Sequence, residues 1–156
     1  MVPESQNHVR ASLFSVFRWR QNQRDVLINE LAGIESSITR IDDQIKRVTQ
    51  ERKGLLHVIR SQRRGKLSME DLLDQHRYDA HLEEAKNGLE FEREKLLDQS
   101  RNCRMRLLDA DLELKKIEKL LERQQTREDK QSSLSEQKMI DDFAGRAFFK
   151  PRSVSQ

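Results

Sequence analysis

Four histidines, one cysteine and several adjacent carboxylate pairs are the residues whose types could carry chemistry, and their spacing withholds it. His8, His57, His76 and His81 have no mate three or four positions away, so no two of them share a helix face on which to hold a metal ion. Asp42-Asp43, Glu83-Glu84 and Asp141-Asp142 are sequence neighbours. On a helix such neighbours splay by about 100° and cannot share a proton or a cation. Cys103 has no second cysteine to pair with, and neither a glycine-rich phosphate loop nor an HExxH or CxxC pattern occurs. The expectation is a non-enzymatic protein with no catalytic, cofactor-binding or metal-binding residues.

The elements that remain are built for length. Of 156 residues, 37% are charged, 35% apolar and 5% aromatic, a poor supply for a filled globular interior. Leu and Ile dominate the apolar set, and Pro3 and Pro151 are the only prolines, so nothing between them forbids a helix. No run approaches the roughly 18 apolar residues that span a bilayer. The patch Leu13-Phe14-Ser15-Val16-Phe17 is cut short by Arg18 and Arg20, too early for a signal-peptide core. These features predict a reduced, cytoplasmic chain without direct membrane insertion.

Leu27, Leu31, Ile34, Ile38, Ile41, Ile45, Val48, Leu55 and Ile59 form a heptad seam, with Arg52 in its one interrupted slot. A first helix over about residues 5–60 follows, some 85 Å long at 1.5 Å per residue. Gly65 and the capping pair Ser68 and Asp71 then predict a turn over residues 61–68. A second helix over about 69–148 carries Leu82, Leu89, Leu96, Cys103, Ala110 and Ile117 at strict seven-residue spacing, joined by Leu107, Leu114 and Leu121. Lys86, Arg93 and Ser100 fill the second column nearer the turn, which predicts a pair tighter at its open end than at its middle. Residues 122–133 hold no apolar side chain and read as a solvated helix or a hinge, after which Ser133 and Glu136 repeat the capping spacing.

The fold class expected is therefore all-α, a single antiparallel two-helix coiled-coil hairpin, monomeric when free. Folding about Gly65 pairs residues whose numbers add to about 129 and sets Leu13, Phe14 and Phe17 beside Leu112, Leu114 and Ile117. Residues 1–66 carry 13 Lys and Arg against 7 Asp and Glu, while 67–156 carry 17 against 20, so the two halves should attract.

Three surfaces are candidates for binding. The basic run from Lys46 to Lys66, with Arg60, Arg63 and Arg64, suits a docking tip; acids from Glu70 to Asp79 should neutralise much of it, which argues against nucleic acid. Arg10, Arg18, Arg20 and Arg24 interleave with Phe14, Phe17 and Trp19, a composition for an acidic protein surface or a membrane interface. Met139, Ile140, Phe143, Ala144, Ala147 and Phe148 make an apolar helical face past the reach of the first helix, beside Arg146. That face must meet another protein, fold back on its own chain or stay disordered.

The hairpin architecture and the closing Lys138-Met139-Ile140-Asp141-Asp142-Phe143-Ala144-Gly145-Arg146 resemble the FliJ and YscO (SctO) family of flagellar and type III secretion export proteins. The resemblance implies a central stalk in the cytoplasm, peripheral to the inner-membrane export apparatus of a flagellar or virulence system. It implies that the open end contacts the hexameric export ATPase through Phe14, Phe17, Arg18, Ile140, Phe143, Arg146 and Phe148. It further implies that the turn-proximal Arg60, Arg63, Arg64, Met69, Leu73, His76 and Ala80 face the cytoplasmic domain of the export gate, and that secretion chaperones bind. The alternative reading from composition is a prefoldin-like or scaffold coiled coil that grips clients with exposed apolar helix ends.

Overall fold

A computed structural model describes the backbone over residues 4–62 and 68–148, with side chains over 8–61 and 68–146. Helix α1 spans Glu4–Gln62 and helix α2 spans Met69–Phe148, packed antiparallel as an all-α helical hairpin. Most of the expected turn, Gly65 included, lies outside the described residues, but its exit is visible. Ser68 caps α2: its Oγ accepts the Asp71 N–H at 3.1 Å, its hydroxyl donates to Asp71 Oδ2 at 2.7 Å, and its carbonyl accepts the Leu72 N–H. Glu70 and Asp71 place negative charge where the helix dipole favours it.

Arg24–Asp109 make one compact unit, called here the central unit. The described residues up to Gln23 and from Ala110 make the other, the terminal unit. In the central unit the α1 seam from Leu27 to Ile59 is buried or half-buried at every expected position, Arg52 included. The α2 seam runs through Leu72, Gln75, Asp79, Leu82, Lys86, Leu89, Arg93, Leu96, Ser100, Cys103 and Leu107 in unbroken steps of three and four. Cys103 is the most enclosed side chain, 1% exposed, with its thiol 3.5 Å from the Leu27 carbonyl. In the terminal unit Leu13 and Phe17 of α1 are half-buried, and Leu114 and Ile117 of α2 are buried.

Three expectations are corrected. The central unit holds Ile41, Ile59, Leu82, Ser100 and Cys103 fully buried against only Leu114 and Ile117 in the terminal unit, so polar seam residues do not loosen the pair toward the turn. Their stems cover the seam while their heads find partners. The register is close to the expected one: Cys103 meets the Leu27 carbonyl, Tyr78 meets Glu51 and Arg52 meets Asp79, pairs whose numbers add to between 129 and 131.

Charge attraction between the halves is likewise only part of the pattern. Arg52 reaches Asp79 and Glu83 as expected, but Glu30, Glu35 and Asp42 of α1 accept from Arg106, Arg104 and Arg93 of α2, the opposite polarity. Local complementarity along the edges overrides the gross balance. Lastly, α2 passes unbroken through residues 122–133 and through Ser133, so the second capping spacing starts no helix. Ser133 has continuous helix on both sides and no free end to satisfy.

Candidate functional site

In the terminal unit the residues expected to touch a partner fall at two levels of α2. Arg10 donates to Glu128 at 2.9 Å, and Glu128 is the last α2 residue with any side-chain burial. Near this level Phe17 lies in the seam, while Phe14 is turned to its flank and meets Phe17 edge-on with ring centroids 6.4 Å apart. Arg18 follows Phe17 on that flank, exposed and without an ion pair among the described residues.

Ile140 stands 12 residues past Glu128, about 18 Å along the helix. From Asp129 to Arg146 every side chain is exposed; Met139 and Ile140 stand open and Phe143 is 79% exposed. Among the described residues nothing brings Phe14, Phe17 and Arg18 into contact with Ile140, Phe143 and Arg146. They are two patches. Phe148 closes α2, and its side chain lies outside the described residues.

The distal patch lies past the reach of α1, beyond the Arg10–Glu128 pair, and its phase would not suit the same groove either. Continued past Glu128, the seam would fall on Gln131, Ser135, Lys138, Asp142 and Gly145, none of them a large apolar residue. Met139 and Phe143 follow those slots by one residue, a rotation of about 100°. A helix prolonging α1 in the same groove would find no apolar surface there. The apolar face therefore points to one side of the seam line.

At the start of α2, in the central unit, Met69, Leu73, His76 and Ala80 form an exposed row beside the packed Leu72, Gln75 and Asp79. Arg60 is exposed near the end of α1, and Arg63 and Arg64 lie outside the described residues. Among the described residues the expected neutralisation of the basic tip occurs at Arg52, whose Nε donates to Asp79 at 2.7 Å and whose Nη2 donates to Glu83 at 3.2 Å. Asp74 instead pairs with Arg77 of its own helix, and Asp71 serves the cap. The guanidinium hydrogen bond holds the Asp79 carboxyl below the usual carboxylate range, aided by the positive field of Arg52 and His76, and raises Arg52 in turn. Tyr78 donates to Glu51 across the helices, and that bond raises its phenol above the ordinary value.

Sequence reasoning counted Asp79 among the acids facing the basic run but missed that it fills the seam slot opposite Arg52. Stepping the Leu82 column back by three lands on Asp79, and that was the available signal. Arg20, also missed, occupies an α1 seam slot. Its guanidinium lies 5.0 Å from the Trp19 ring centroid, and its Nε is buried without a hydrogen-bond partner. Glu113 of α2 is held below the usual carboxylate range by the Lys116 hydrogen bond, with Arg20 adding a favourable field.

Among the described residues no His, Cys, Asp and Glu group could hold a metal ion, and no helix is long and apolar enough to cross a membrane. Comparison with protein families matches residues 9–153 to FliJ, described as flagellar FliJ protein. Comparison with curated proteins and with solved structures returns no match.

Proposed function

The chain belongs to the FliJ family, hence to the proteins associated with flagellar and type III export, and from that premise we propose a non-enzymatic stalk and coupling role within such an apparatus. In this reading the terminal unit inserts into the hexameric export ATPase and promotes its assembly and activity. The row Met69, Leu73, His76 and Ala80 faces the cytoplasmic domain of the export gate, and secretion chaperones are further partners. The protein works in the cytoplasm, peripheral to the inner membrane.

One observation carries the reading: an 18-residue stretch of α2, Asp129 to Arg146, leaves Met139, Ile140 and Phe143 exposed, unburied by any of the described residues. Aromatic and aliphatic side chains that are bare on an extended helix supply most of the energy when a ring-shaped host closes on them. The arrangement also suits a shaft because it brings no globular bulk of its own.

The experiment is phosphate release by the purified export ATPase of the same system, with and without this protein. Wild type should accelerate turnover, and Ile140→Ala with Phe143→Ala should abolish the acceleration while circular dichroism stays unchanged. Acceleration undiminished in the double variant would refute the assigned contact. Absence of acceleration by wild type, combined with suppression of aggregation of unrelated unfolded clients, would replace the stalk with the holdase reading.

A further inference from the structure

We propose that α1 carries a second, unfilled seam, Val9-Ser12-Val16-Trp19-Gln23, that takes an acidic amphipathic helix of a partner protein. Its positions each precede a slot of the packed seam (Arg10, Leu13, Phe17, Arg20, Arg24) by one residue, and they repeat its steps of three and four. Phe14 and Arg18 each follow a packed slot by one residue. The new stripe therefore lies on the flank of α1 opposite the Phe14 and Arg18 patch, and it goes beyond the contacts assigned above. A helix with two neighbouring heptad stripes is the unit from which three-helix assemblies are made, because each stripe can seat its own partner.

The stripe is apolar and bare. Val9, Val16 and Trp19 are 50%, 45% and 53% exposed, and Ser12 and Gln23 are exposed too. Trp19 is stiffened by the Arg20 guanidinium stacked at 5.0 Å, which leaves a rigid aromatic edge of the type that anchors interfaces. At its Val9 end the stripe opens into a groove of about 420 Å³ shared with Gln124, Arg127, Glu128, Lys130 and Gln131 of α2.

Charge selects the occupant. No Asp or Glu occurs between residues 5 and 24, so nothing along the stripe's own helix repels an acidic partner. In the groove, Glu128 is already engaged by Arg10, and Arg127 and Lys130 make no ion pair among the described residues. The unspent charge on this side is positive. A helix with Leu at its own seam positions and Glu at the flanking ones would satisfy both the stripe and the cations, whereas a basic one would meet repulsion.

The only tryptophan of the chain sits in the stripe and reports on it directly. The probe is a capped 21-residue peptide with Leu at heptad positions a and d and Glu at e and g, titrated into the full-length protein; a matched peptide carries Lys at e and g. The acidic peptide should shift Trp19 emission to the blue with saturation, and affinity should fall on going from low to high salt. The Lys peptide should bind at least about tenfold more weakly. Val16→Asp should cost at least about tenfold in affinity with helicity retained, and Val9→Lys, near the end of α1, gives an independent reading. Phe14→Asp, on the other flank, should change affinity less than about twofold.

Equal binding of both peptides, or full binding by the Val16→Asp and Val9→Lys variants, would overturn the proposal. So would a blue shift produced by anionic phosphatidylglycerol vesicles and not by the acidic peptide, which would make the occupant a membrane. Light scattering showing a dimer that Val16→Asp dissolves would make it a second copy.

Discussion

Two stretches of one helix, α2, differ in phase and in whether α1 runs beside them. From Leu72 to Glu128 an apolar or well-partnered side chain returns every three or four residues, and each is at least half-buried; from Asp129 to Arg146 charged residues of both signs continue, Leu, Met, Ile and Phe still occur, and nothing is buried. Charge and hydrophobic content do not decide which part pairs. Recurrence on one line does, because only a seam that stays turned toward its neighbour can keep water out over many turns.

The comparison can be broken first in the paired stretch. Leu82→Ala should lower the unfolding free energy by about 2–4 kcal/mol, read as the urea midpoint, since it empties a buried seam slot. If Leu82→Ala were neutral, the seam would not be what holds the pair. A smaller loss should follow Asp79→Ala, which leaves the half-buried Arg52 with only Glu83. Because the folded Asp79 carboxyl titrates below its ordinary value, its contribution is complete above the unfolded value near 4 and is lost as pH falls through the lowered folded value. Asp79→Asn should flatten that part of an acid-unfolding curve, while Asp142→Asn in the bare stretch should leave it unchanged.

Glycine substitutions sharpen the contrast. A Cβ at Gly88 meets nothing within 4 Å, so Gly88→Ala should raise the urea midpoint by the equivalent of about 0.5–1 kcal/mol. Gly145 is equally unobstructed, yet Gly145→Ala should register only as slower amide exchange near residues 140–146. The smallest effect belongs to Phe143→Ala, whose side chain has no internal contact to lose: global stability should stay within about 0.5 kcal/mol.

Much of this was legible in residue order. Leu27 to Ile59 gave α1, Ser68 with Asp71 gave the start of α2, and Lys138 to Arg146 pointed to the family. What escaped did so for physical reasons. Arg20 and Arg24 occupy seam slots near the start of α1, and a search for apolar periodicity steps over them although their stems pack like aliphatic ones. Ser133 and Glu136 have the same local spacing as a true cap, and only the continuing helix distinguishes them. The candidate faces were readable as types, but not their division: Phe14 and Phe143 look alike in sequence and lie at different levels of the terminal unit.

The thiol of Cys103, tucked against the Leu27 carbonyl, gives the molecule a built-in stopwatch. An alkylating reagent can reach that sulfur only in the instants when the helices part, so the pace of its modification counts those instants. A host that clamps the central unit would slow the count, and one that pries it open would quicken it.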